Sequence, residues 1–366
     1  MRILFIGDYS RVHLSLAEGL RMLGHEAVVA SDGDGMKNYP RDIDLTRKSS
    51  GLIDTISALM DMNKKFSKFK DYDVVQLINP CFVTLSTGVN SRFFDKLKKN
   101  NKKVVLGAFG DDSYWVRACI ENKIFEYSEF YANGKPTNLS FNAGLISKWI
   151  DSSRERLNRK IATESNGIVA CLYEYFVSYK PYFPDKLRYI PLPVNTEEIE
   201  YQPIIEVPKK INFFIGINRD RKEYKGTDTM ESALKRIAEK YPNEVEVIRV
   251  ESVPYDEYKR LMSAAHVVLD QLYSHSPAMN ALLAMAQGKI VVGGGEEHMY
   301  ELMGEKELRP IVNIQPNEED VYNKLEWIVK NKEKIPQLSK EGHEFVLKHH
   351  NTVKVAQQYL DFWNSI

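Results

Sequence analysis

A chain of 366 residues exceeds what one compact core normally supports, so two domains are expected. Its 43% hydrophobic and 27% charged residues are those of an ordinary globular protein, and 50 basic residues are balanced by 50 acidic ones. That balance excludes a global field for nucleic acid or an anionic membrane, leaving only a local basic groove open. The apolar run in MRILFIGDY is too short for a secretion signal, and no later run reaches the roughly 18 residues of a membrane span. Cys81, Cys119 and Cys171 are widely spaced, with no CxxC pair, and read as buried residues of a reducing compartment. The expectation is a cytoplasmic chain with at most peripheral membrane contact.

In chain order, RILFIG predicts a strand, followed by a helix from about Leu14 to Leu23 with Leu16, Leu20 and Leu23 on one face and Gly24 as its stop. EAVVAS is the next strand. DVVQLI (73–78), KKVVLGAFG (102–110) and GIVACL (167–172) are continuous apolar runs, typical of strands buried on both faces. The proline-rich YIPLPVN (189–195) reads as a linker. Beyond it the alternation restarts: KINFFIGI, a helix through SALKRIAEKY, VEVIRV, a helix from Asp256 to Met262, HVVLDQL, an apolar helix within 274–288, KIVVGGG, RPIVNI, and a helix from Asn317 to Lys330. In the terminal TVKVAQQYLDFW, residues Val355, Ala356, Tyr359, Leu360 and Trp363 share one helical face that needs a surface to cover it.

This pattern predicts an α/β protein made of two Rossmann-like βα halves facing a central cleft. The expected domains are 1–190 and 191–350, with 351–366 as a helix returning to the first. In open α/β sheets ligands bind at the carboxyl ends of the strands, which places the expected site at that cleft.

Several segments together resemble a known family. These are RILFIG with LAEGLRMLGHEAVVAS, then IATESNGIVACLYEYFV, YIPLPVNTEEIEY, IGINRDRKEYKGTD, YKRLMSAAHVVLDQL, LLAMAQGKIVVGG and NTVKVAQQYLDFW. In this order over nearly the whole chain they resemble the glycosyltransferases of GT-B architecture, most closely glycosyltransferase family 4. The resemblance implies transfer of a sugar from a nucleotide-activated donor, bound by the second domain, to a hydroxyl of a glycan or lipid-linked acceptor on the first. It implies no metal and no cofactor, because basic side chains and helix amino termini neutralise the diphosphate leaving group. A role in bacterial surface polysaccharide synthesis follows by analogy.

NRDRKEYKG (218–226) follows a strand and precedes a helix. Arg219, Arg221, Lys222 and Lys225 offer positive charge for a departing diphosphate. The family pattern singles out Arg219 and Lys225; a solvated basic turn is the structural alternative. The family also carries one glutamate in the loop before the LLAMA-like helix, near the donor sugar, and a second eight positions later that grips the ribose. Those positions are His275 and Leu283 here. Ser274, Ser276 and Asn280 remain as polar groups beside a helix amino terminus suited to phosphate. Ser276 followed by Pro277 equally fits an N-cap with proline at the first helical position. Glu296 and Glu297, after the glycine run, are the nearest replacements for the ribose grip, or else a solvated acidic turn.

On the first domain, Asp8, Ser10 and Arg11 in GDYSRVH are candidate acceptor contacts, or caps of the next helix. Asp111 or Asp112 in GDDSYW is the candidate general base, with an N-cap pair as the alternative. The aromatic stretch 121–144 fits sugar stacking, a lipid carrier, or a loop packed onto its domain. Two other functions remain. One is a nucleotide-sugar 2-epimerase, whose acid, base and histidine set is not found. The other is a binding subunit that has lost its donor site.

Overall fold

A computed structural model describes residues 1–47, 51–121 and 123–366. The fold divides into two compact units: Met1–Arg117, Leu145–Asn195 and Thr352–Ile366 form the first, and Ala118–Gly144 with Thr196–Asn351 form the second.

The first stretch alternates β1 (Arg2–Ile6), α1 (Val12–Met22), β2 (Glu26–Ser31), β3 (Ile43–Asp44), α2 (Leu52–Phe66), β4 (Val74–Leu77), α3 (Thr87–Asn100), β5 (Lys103–Ala108) and α4 (Ser113–Glu121). A small antiparallel hairpin, β6 (Tyr131–Ala132) and β7 (Lys135–Pro136), follows within the second unit. Then come α5 (Ser140–Trp149), α6 (Ser153–Glu164), β8 (Gly167–Ala170), α7 (Tyr173–Tyr179) and β9 (Leu187–Tyr189). The first sheet runs β3-β2-β1-β4-β5-β8-β9, every pair parallel. All four residues of β4 and of β8 are buried, which is why these strands read as unbroken apolar runs.

The second unit continues with β10 (Ile211–Ile217), α8 (Lys222–Lys225), α9 (Thr227–Lys240), β11 (Val245–Glu251), α10 (Tyr255–Ser263), β12 (Val267–Leu269), α11 (Met279–Ala286), β13 (Ile290–Gly293), α12 (Glu297–Met303), β14 (Val312–Asn313), α13 (Glu318–Lys330) and α14 (Ile335–His349). Its parallel sheet runs β11-β10-β12-β13-β14. Phe213, Ile215, Met230, Leu234, Ile237, Leu269, Val292 and Leu325 form the core that joins the sheet to α9 and α13. Asn317 caps α13 through a bond from the Asp320 amide at 2.8 Å, so the expected helix start becomes its cap.

The final helix, α15 (Thr352–Ser365), lies in the first unit. The Thr352 hydroxyl donates to the Ser15 carbonyl of α1 at 2.5 Å, and Trp363 packs near Phe5 with ring centroids 6.2 Å apart. Gly19 permits this approach, since a β-carbon there would lie 2.5 Å from the Thr352 carbonyl oxygen. The expected first domain, 1–190, is interrupted. Residues 118–144 group with the second unit because their side-chain partners lie there, as described below.

Candidate functional site

At the carboxyl edge of the second sheet three loops are sewn together. The Leu272 amide donates to the Lys225 carbonyl at 3.0 Å, and the Glu296 amide to the His275 carbonyl at 3.1 Å. Gly226 sits at φ +65°, where a β-carbon would lie 2.4 Å from Leu272, and a β-carbon on Gly294 would lie 2.1 Å from the Ser274 carbonyl oxygen. Glycine is therefore required for the loops after β10, β12 and β13 to close on one another.

Within the basic run the four side chains have different surroundings. Lys225 is half-buried, and its charge acts on Asp270, whose carboxyl is pushed up by burial and drawn back by Lys225. Arg219 is 75% exposed and gives its Nε to Glu251 at 2.8 Å, an acceptor shared with Arg249. Arg221 is exposed over the Tyr224 ring at 4.9 Å, and Lys222 is exposed.

The apolar helix α11 begins later than Ser276–Pro277 implies. Its N-cap is Ala278, which has no side-chain oxygen, and no side chain caps it. The Ser274 hydroxyl donates to the Ser276 carbonyl at 2.7 Å, tightening the loop before the helix instead. In the first turn, Asn280 Nδ2 donates to Asp270 Oδ1 at 3.1 Å, and the Tyr258 hydroxyl donates to Asn280 Oδ1 at 3.0 Å. Asp270 is 5% exposed and was not singled out from the sequence; its signal is a charged residue ending the apolar run HVVLD.

The residues expected to replace the missing glutamates are engaged elsewhere. His275 is buried and stacks on Tyr127, with centroids 4.2 Å apart and planes at 11°. Its Nε2 donates to the Tyr127 carbonyl at 2.9 Å, leaving Nδ1 to accept from His298 Nε2 at 3.0 Å. Glu296 accepts from the Tyr127 hydroxyl at 2.8 Å and Gln315 Nε2 at 2.7 Å. Burial pushes its carboxyl up, but bonds from Asn313, Tyr127 and Gln315 hold it below the usual range. Glu297 forms a two-pronged pair with Arg309 at 2.8 and 3.2 Å, which lowers its carboxyl. His275 and Glu296 thus clasp the 118–144 segment, and neither expected role in holding a sugar or ribose fits these contacts. The segment's aromatics are accounted for in the same way: Phe125 packs 5.5 Å from the His275 ring and Phe141 4.9 Å from Tyr224. Asn122 of that stretch lies outside the described residues.

In the first unit, Asp112 is fully buried. Its Oδ1 accepts from the amides of Tyr114 and Trp115 at 2.9 and 3.0 Å, and its Oδ2 from the Tyr179 hydroxyl at 2.6 Å. Burial raises its carboxyl to about 6 against these bonds. It is a helix cap, which corrects its candidacy as a base. Asp111 is half-buried, with its carbonyl accepting from Asn79 at 3.2 Å. Ser10 and Arg11 both hold positive φ, 51° and 65°. The Ser10 amide donates to Asp34 at 2.9 Å, and Arg11 pairs with Glu18 at 3.0 Å.

Asp8 caps α1 from four residues upstream, accepting from His13 and Leu14 amides at 2.9 and 3.4 Å. This cap explains why α1 starts before Leu14. Burial raises the Asp8 carboxyl to about 7 despite those bonds. The native state therefore keeps a proton that the unfolded chain releases near pH 4, and this group's contribution to stability falls as pH rises between about 4 and 7. Asp8→Asn keeps an acceptor without the charge. Its stability relative to the parent should improve across that window by on the order of 1–2 kcal/mol, read from melting curves at pH 4.5 and 8. Equal pH dependence in both proteins would contradict the buried, protonated carboxyl.

Among the described residues no group of three or more His, Cys, Asp or Glu could hold a metal ion, and no helix is long and apolar enough to cross a membrane. Residues 209–361 match the family described as glycosyl transferase-like, and solved structures of such enzymes share the fold over the whole chain. The chain has the GT-B fold. Anabaena HepE, solved in complex with UDP and glucose, is 14% identical to this GT-B chain, with a TM-score of 0.58 and 100% of each chain covered. Sucrose-phosphate synthase from Thermosynechococcus elongatus is 12% identical, with a TM-score of 0.63 and 100% and 99% covered. WaaG, a glycosyltransferase involved in lipopolysaccharide biosynthesis, is 13% identical, with a TM-score of 0.55 and 98% of each chain covered. No curated protein matches the GT-B chain by sequence.

Proposed function

We propose that the GT-B chain transfers a sugar from a nucleotide-activated donor to an acceptor hydroxyl, with the donor diphosphate held by Lys225 and the amino end of α11. The observation that carries this reading is the meeting of the 225–226 turn with the loop that leads into a helix without a side-chain cap. Amide N–H groups and the helix dipole at that end favour an anion, and the half-buried Lys225 adds positive charge for the diphosphate that leaves when the glycosidic bond breaks. A metal is not required by this scheme. The UDP bound to HepE makes UDP the first nucleotide to try. The pathway of WaaG supports a surface glycan or its lipid-linked precursor as acceptor, with peripheral membrane contact and a cytoplasmic supply of donor. Asp111, beside the committed Asp112, is the general base of this scheme.

A second reading, a binding subunit without turnover, is favoured by Leu283 at the ribose-grip position and by the clasp that occupies His275 and Glu296. Calorimetry with nucleoside diphosphates separates the two. The parent should bind UDP or another nucleoside diphosphate, and Lys225→Ala should weaken that binding about tenfold or more. Arg219→Ala should have the smaller effect, because Arg219 is exposed and already paired with Glu251. Silence across the panel would favour the binding subunit.

A further inference from the structure

We infer that Asn280 reads the ribose diol of the donor nucleotide as one donor and one acceptor, in place of a carboxylate. This rests on the donor site proposed above. Asn280 and Leu283 are three residues apart on α11 and so share a helix face. Asn280 is the nearer of the two to the amino end assigned to the diphosphate, and it is half-buried.

Its orientation is set from two sides. A carboxylate can only accept, so the 3.1 Å contact with Asp270 Oδ1 must come from Asn280 Nδ2. Oδ1 then faces the Tyr258 hydroxyl, 3.0 Å away. Both supports are themselves held. Asp270 is 5% exposed at the end of β12, and the Tyr258 ring lies against Gly216, where a β-carbon would approach it to 2.4 Å, with Phe214 edge-on at 5.1 Å. One N–H and one lone pair of the amide remain for a ligand. A vicinal diol matches them: one hydroxyl accepts from Nδ2 while the other donates to Oδ1. The amide is neutral and pre-set, so it adds no negative charge beside the diphosphate, whereas a glutamate at this face does. A ligand lacking either hydroxyl leaves half of an oriented amide unpaired, which is the source of discrimination.

The test is calorimetry on the full chain with UDP, 2′-deoxy-UDP, 3′-deoxy-UDP and inorganic pyrophosphate. The parent should favour UDP over either deoxy analogue by about tenfold. Asn280→Ala should remove that preference by weakening UDP to the level of the analogues, with pyrophosphate affinity unchanged. Tyr258→Phe frees the amide without emptying the space and should reduce the preference; it decides the matter if Asn280→Ala does not fold. Retention of the full preference in the folded variants overturns the role of Asn280 while leaving the donor site standing. A parent that binds neither UDP nor pyrophosphate overturns the donor reading, and this inference with it.

Discussion

Truncation after Asn351 is expected to abolish cooperative folding of the first unit. The removed helix α15 places Val355, Ala356, Tyr359 and Trp363 at 0% exposure, with Leu360 and Phe362 at 5%. Each large apolar side chain so buried contributes roughly 1.5–3 kcal/mol, so the helix supplies on the order of 10 kcal/mol. That is comparable to the whole stability of a domain. The loss also uncovers Phe5 and Gly19, and it removes the carbonyl of Trp363 that accepts from Lys103 Nζ at 2.6 Å. Calorimetry should show the transition of the second unit surviving in a form close to the parent's, with the first unit's transition lost. Two intact transitions would mean that α15 is dispensable. Trp363→Ala is the graded version, expected to cost about 3–5 kcal/mol.

Glu296→Ala is expected to release the 118–144 segment while the second sheet stays folded. The carboxylate accepts from Tyr127 and Gln315 at 2.8 and 2.7 Å, so its loss leaves a buried phenol and a carboxamide without their charged acceptor. Charge-assisted bonds of this kind give a local penalty of roughly 2–4 kcal/mol. The contacts that then remain on the segment include the His275 stack and its bond to the Tyr127 carbonyl, the Tyr127 hydroxyl bond to the Ser274 carbonyl at 3.4 Å, and the bonds from Asn133 to the Pro316 carbonyl and from Ser140 to Glu223, both at 2.9 Å. Amide exchange should quicken across residues 125–137 and stay slow in β10, β12 and β13. Glu296→Gln keeps an acceptor oxygen and should behave much nearer to the parent. Unchanged protection of 125–137 in Glu296→Ala would show that the clasp does not depend on this carboxylate.

The two parallel sheets were legible because each buried strand is a continuous apolar run and each helix has a periodic face. Gly24 and the proline-rich 189–195 stretch supplied the punctuation. The basic turn ending at Gly226 was legible in the same way, from its place after a strand and before a helix. What the residues did not disclose is which polar groups spend their bonding capacity on the fold. Glu296 and Tyr127 are 169 positions apart, and no local spacing signals that pair. Asp112 and Tyr179 are likewise 67 apart. The adjacent aspartates looked equivalent until one proved to hold two amides and a buried phenol. The placement of 118–144 was hidden for the same reason: its aromatics announce that they must be covered, and nothing local says by what.

The covalent path between the two units carries a consequence for biosynthesis. The chain passes from one unit to the other at 117–118, 144–145, 195–196 and 351–352. On a ribosome, β1, β4 and β5 emerge early, yet the helix that covers Phe5 and α1 emerges only after every residue of 196–351. Until then the nascent first unit shows the tunnel exit an open apolar face. Chaperone demand should therefore persist through synthesis of residues 196–351 and fall once α15 docks on α1 and Phe5.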